Sequence, residues 1–166
     1  RPTPALYGYD EEGDVMRIGK YFSLAELTRS QTALRRGIDN TPSKDQIQNL
    51  EDLVFHILDP VRTHFRLPVS VNSGFRCLEL NEALGSKPTS QHTQGKAADI
   101  EIPTMDNLEL AKWIRDNMDF DQLILEFHTI GNPRSGWVHI SWNSKDANRR
   151  QVLTINRNGV KVGLPE

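Results

Sequence analysis

An α+β fold, with helices packed on one face of a small antiparallel or mixed sheet and ionisable groups on the other, is predicted by three observations. Helix-period apolar spacing dominates the first half of the chain, and period-two alternation dominates the second. Three alternating runs in the second half each put aliphatic side chains on one side and polar ones on the other. At 166 residues, 37% hydrophobic and 25% charged, the chain is the size of one domain and can bury a substantial core. No repeat or long linker interrupts it. Residues 21–166 are expected to form a single domain, preceded by a loosely attached arm over residues 1–20 with an acidic turn at 10–14.

The elements follow in order. Ser23 with Glu26 has the form of a capping box and starts a short helix over residues 24–29. Ser43 with Gln46 repeats the signal. Ile47, Leu50, Val54, Ile57, Leu58, Val61 and Phe65 then form one apolar helix face, expected to bend or end near Pro60. Residues 67–72 read as a strand, 77–84 as a short helix and 85–95 as a loop. A strand over 96–102 stops at Pro103. Asp106 caps a helix carrying Leu110, Trp113 and Ile114. Residues 122–127 and 137–142 are two more strands. Asn158-Gly159, between β-prone runs at 152–162, predicts a hairpin with a primed turn.

Composition excludes several classes. A formal net charge of −2 gives no basic footprint for nucleic acid. No apolar run approaches the ~20 residues of a membrane span. With Cys77 as the single cysteine there is no internal disulfide and no Cys-rich zinc knuckle, so any metal must be held by histidine and carboxylate. Residues 1–14 resemble neither a signal nor a transit peptide, yet the chain opens on Arg1 rather than methionine, so localisation stays open. A monomer is expected.

The alternation carries the chemistry. Ala98, Ile100 and Ile102 share one face, as do Leu123, Leu125 and Phe127, and Val138, Ile140 and Trp142. The opposite face gathers Asp99, Glu126 and His139. His92 lies in the loop that feeds the Asp99 strand, where Gly95 permits a tight return. Two imidazoles and one carboxylate are a catalytic zinc set that leaves a fourth position for water, and a nearby carboxylate must then move the water's proton.

Ser73-Gly74-Phe75-Arg76, the run Ser90-Gln91-His92 through Gly95 to Asp99, and Trp137-Val138-His139-Ile140-Ser141 together resemble the zinc D-Ala-D-Ala metallopeptidase family. The likeness runs from about Tyr21 to Trp142. That family includes D-Ala-D-Ala carboxypeptidases, dipeptidases and phage endolysins that cut peptidoglycan stem peptides at the bacterial cell wall. The resemblance implies its fold, shared with the hedgehog signalling domain, and one Zn2+ held by His92, Asp99 and His139. It implies that Arg76 contacts substrate or the developing oxyanion. Many members place a catalytic Glu or Asp three residues before the last ligand histidine, where this chain has Gly136. Glu126, on the site face of the neighbouring strand and set opposite His139, is the expected base; Glu101 and His128 are its rivals.

The same residues admit plainer roles. Arg76 could bridge a loop to the sheet, and Ser90 and Gln91 are expected to tether the His92 loop. Trp137 is either groove lining or packing, His56 and His64 sit at the surface or core edge, and Cys77 is a small helix residue. A catalytically retired zinc module of the same fold, acting in cell-wall or virion binding or assembly, is the alternative to a peptidase.

Overall fold

The computed structural model describes residues 15–166. Arg17–Ile18 (β1) and Phe22–Ser23 (β2) make a small hairpin. Ile18, 1% exposed, joins the core, while Val15, Arg17, Gly19 and Lys20 around it are exposed; the acidic turn lies outside the described residues. Ser23 caps Leu24–Thr28 (α1) by accepting from the Glu26 N–H, and Ser30 caps Gln31–Arg36 (α2). The full capping box at Ser43 and Gln46 opens Lys44–Leu53 (α3).

The long helix does not end at Pro60. Between α3 and Asp59–Phe65 (α4), residues Val54–Leu58 widen into a π-helical segment in which the Asp59 N–H reaches the Val54 carbonyl. Proline lacks an N–H, and its ring would press on the carbonyl four residues back; the wider turn relieves that clash without breaking the helix. Leu50, Leu53, Val54, Ile57, Leu58 and Val61, all 0% exposed, therefore stay on one face against the sheet. Truncating any one of the leucines or isoleucines to alanine should cost about 2–5 kcal/mol.

Six strands form the main sheet: Ser70–Ser73 (β3), Ala97–Glu101 (β4), Gln122–Glu126 (β5), Trp137–Ser141 (β6), Gln151–Asn156 (β7) and Gly159–Val162 (β8), in the order β3-β4-β6-β5-β7-β8. Every pairing is antiparallel except β5 with β7, so the sheet is mixed. Leu78–Ala83 (α5) follows β3, and Asn107–Asn117 (α6) follows β4, capped by Asp106. Ala98, Ile100, Leu123, Leu125, Val138 and Ile140 are all fully buried, and with Leu110, Ala111 and Ile114 of α6 they join the core as the alternation requires.

Three local expectations are corrected. Phe127 does not join the core: its φ of 53° ends β5 one residue early and leaves it 46% exposed, beside the Trp137 ring. The strand expected from residue 67 begins at Ser70, because Arg66 takes a left-handed φ of 55° to end α4 and the chain needs the next residues to turn. The last hairpin pairs Asn156 with Gly159 around Arg157-Asn158, and the positive φ falls on Gly159 alone, at 114°. A primed turn needs left-handed residues inside the loop, so this is instead an ordinary turn closed by a glycine.

Candidate functional site

Asp99 and His139 are direct cross-strand partners in the β4–β6 ladder, which fixes both on the same face. His92 comes to them on a short 3-10 turn, Gln91–Gln94. The Ser90 hydroxyl caps that turn at the His92 N–H, and Gly95, at φ 74°, closes it. A Cβ at Gly95 would lie 2.5 Å from the Gln46 carbonyl oxygen of α3, so glycine lets the turn seat against the helix.

The three side chains are buried, at 3%, 7% and 8% exposure for His92, Asp99 and His139. Asp99 Oδ1 lies 3.4 Å from His92 Nε2 and 3.1 Å from His139 Nδ1. Ligand atoms around a tetrahedral zinc with bonds of ~2.0–2.1 Å are spaced by roughly 3.3 Å. The His92 Nδ1–H donates to the Gly74 carbonyl at 2.7 Å, since a carbonyl can only accept. In neutral His92 this leaves Nε2 as a bare lone pair facing a carboxylate oxygen. Two acceptors held that close repel unless a proton or a cation stands between them. Backbone anchoring of the far imidazole nitrogen is also how metal-binding histidines are oriented. The donor set therefore fits zinc. Among the described residues, this is the one set of three such side chains able to share an ion.

Two charged groups border the triad. Arg76 follows β3 and donates through Nε to Ser73 Oγ at 2.9 Å, through Nη1 to Ser86 Oγ at 3.1 Å and through Nη2 to Asp99 Oδ2 at 3.4 Å. Burial pulls its pKa down while Asp99 and Glu126 push it back up, and a guanidinium stays charged at neutral pH throughout. Burial would push the Asp99 carboxyl up, but a hydrogen bond from His139 and the nearby His92 ring outweigh it and hold the group well below the usual carboxylate range.

Glu126 pairs with Trp137, not with His139, whose partner is Ile124. The offset from the expected register is two residues, so the side chain keeps the site face. Glu126 Oε1 lies 4.0 Å from His139 Nδ1. Burial and the Asp99 charge raise its pKa above the ordinary value, against His139, Arg76 and the Trp137 indole.

The rivals lie elsewhere. Glu101 accepts from Asn72 and Asn107, and the His128 ring, 2% exposed, sits between Asp106 and the Ser135 carbonyl. Gln91 acts as a tether, donating to Asp121 at 2.8 Å. His56 and His64 stack on Trp142 and Trp113, and Cys77 caps α5. The sequence does not mark Asp121, 1% exposed, which Arg149 grips through two side-chain nitrogens. The two are 28 residues apart and no local pattern links them.

Two imidazoles and a carboxylate gathered at one face of an α+β sheet, with a second carboxylate and a guanidinium beside them, form a cluster that could hold a metal ion. The family model described as Peptidase M15 matches residues 20–141, and the chain belongs to that family. It is accordingly a metallopeptidase, of a family that depends on zinc. No curated protein matches the chain.

Proposed function

We propose that the protein hydrolyses an amide bond in peptidoglycan stem peptides, with His92, Asp99 and His139 as the ligands of one Zn2+. When bound, zinc supplies Lewis acidity, polarising the scissile carbonyl and making a water acidic enough to attack near neutral pH. Glu126 takes the proton of the attacking water and delivers it to the leaving amine nitrogen. Its raised pKa suits both halves of that task, because a carboxylate nearer neutrality accepts and releases a proton with less imbalance. Arg76 keeps one N–H on each terminal nitrogen beyond its bonds to Ser86 and Asp99. Those point charges and donors serve a substrate carboxylate or the developing oxyanion.

The observation that carries this reading is Glu126 placed 4.0 Å from a ligand histidine, on the face that holds the triad. The retired binding module rests on Gly136, and the carboxylate on the adjacent strand weighs against it. Incubation with purified muropeptides, with products identified by mass, tests the proposal. Loss of a terminal D-alanine marks a D,D-carboxypeptidase, and a cut inside the stem marks an L,D-type endopeptidase. Unchanged muropeptides with zinc-loaded protein would leave the binding module as the correct reading.

A further inference from the structure

Asp121 is a buried charge that the reaction does not use. It sits at the start of β5, where its N–H donates to the Ser141 carbonyl at 2.8 Å and the next N–H, of Gln122, reaches Ser141 Oγ at 3.0 Å. Ser141 is two residues beyond His139 on β6, so the backbone of Asp121 is fastened to the strand of one ligand. Its carboxylate points to the other. Oδ2 accepts from Gln91 Nε2 at 2.8 Å, and Gln91 is the residue immediately before His92.

The charge is balanced from outside the family match. Arg149 lies beyond residue 141, where the match ends, and its Nη2 meets Oδ2 at 2.9 Å while its Nε meets Oδ1 at 3.0 Å. The Arg149 backbone N–H adds a bond to Oδ1 at 2.9 Å. Burial opposes the charge, but these bonds hold the carboxyl below its ordinary pKa, so it is ionised at neutral pH. A fully ionised, doubly gripped carboxylate accepts at fixed angles, and Gln91 must meet that geometry.

We propose that Asp121, held by Arg149 of the C-terminal segment, is a positioning residue that sets the His92 turn against the His139 strand and so fixes the spacing of the metal ligands. The inference rests on His92 and His139 being metal ligands. The turn has a second set of restraints on its other side: Gln46 Nε2 reaches the Thr93 carbonyl at 3.2 Å and Asn49 Nδ2 the Gln94 carbonyl at 2.8 Å. Those bonds fall after His92 and come from α3, which carries no ligand. The backbone also joins the turn to the β6 end through Lys96, whose N–H donates to the Gln91 carbonyl and whose carbonyl accepts from the Trp142 N–H, and the Asp121 link adds a side-chain tie to β6 immediately before His92.

The test uses the full chain, with zinc affinity measured by competition against a chromophoric chelator and the Co2+-loaded absorption spectrum as a report of ligand geometry. Gln91→Leu removes the link and leaves the Asp121–Arg149 pair whole, so the metal-free protein should melt within a few degrees of wild type. Its zinc affinity should fall about 10- to 100-fold, the scale for losing an outer-shell partner, with an altered Co2+ spectrum. Asp121→Asn and Arg149→Met should show the same metal defect, and Arg149→Lys should recover part of it. Zinc binding by Gln91→Leu within twofold of wild type, with an unchanged Co2+ spectrum, would overturn the proposal while leaving the metal site intact. Wild-type protein that takes up no zinc would overturn the ligand assignment and this inference together.

Discussion

Gly136 stands where the family resemblance would put a catalytic Glu or Asp, and the structure says what replacing it would do. Its φ is 67°, a region that costs a residue with a Cβ about 1–2 kcal/mol. A Cβ there would also overlap the Glu126 carbonyl oxygen and come within 2.6 Å of the Phe127 carbonyl carbon and 2.7 Å of the His128 nitrogen. All three are backbone atoms of the β5 end and cannot swing aside as a side-chain tip would. Forcing such an overlap costs about 1–3 kcal/mol. Gly136→Ala should therefore lose roughly 2–5 kcal/mol, or roughly 4–20 °C in melting temperature for a chain of this size. Gly131→Ala is the matched control, because Gly131 also has a positive φ, 90°, but nothing within 4 Å of its Cβ. Thermal melts of the two variants isolate the collision. The Gly136 variant should also lose hydrolysis beyond its stability loss, since its relief route is to push Glu126 off the site. If Gly136→Ala melts no lower than Gly131→Ala, the packing argument is wrong.

Replacing His92, Asp99 or His139 with alanine should remove most of the bound zinc, measured by elemental analysis, because three protein ligands leave no redundancy. A chelator should lower the melting temperature of wild type and leave those variants unmoved. Glu126→Gln should keep fold and zinc while hydrolysis of muropeptides drops by about 10²-fold or more; near-normal turnover would move the proton elsewhere. Arg76→Lys keeps the charge but not the fork that spans Ser73, Ser86 and Asp99, and turnover should fall at least about tenfold at unchanged zinc content. Lost stability with retained specific activity would make Arg76 structural. Asp121 has a depressed pKa in the folded state, so its contribution is complete above the unfolded value near ~3.9 and fades as pH falls through the folded one. The stability gap between wild type and Asp121→Asn, followed by denaturant titration, should accordingly close in acid.

What could be read from the sequence was local or periodic. The caps at Ser23, Ser43 and Asp106 depend on residues two or three apart, and all three form. The faces of β4, β5 and β6 depend on alternation alone, and they bring Asp99, Glu126 and His139 to one side. Periodicity names a face but not a partner, which is why Glu126 was expected opposite His139 and stands opposite Trp137. The connection between the paired Glu126 and Trp137 begins at Phe127 and ends at Gly136, both at positive φ, and no alternation pattern reports where it closes. The π-helical segment before Pro60 and the Asp121–Arg149 pair are likewise products of packing between distant parts of the chain.

On the proposed reading, the charges of the site favour a bound cation. Asp99 and Glu126 bring two negative charges, Arg76 brings one positive, and all three are mostly removed from water. The two Asp99 oxygens divide their work: Oδ2 takes the guanidinium, and Oδ1 is left to the imidazoles. Neutral His92, with its proton committed to the Gly74 carbonyl, has nothing to donate to Oδ1. The cluster is thus short of positive charge at the point where its three donor atoms converge. A dication held there by His92, Asp99 and His139 would satisfy the facing lone pairs and would turn a local charge of −1 into +1. That sign would favour the anion that amide hydrolysis develops, with Arg76 already placed on the border of the cluster.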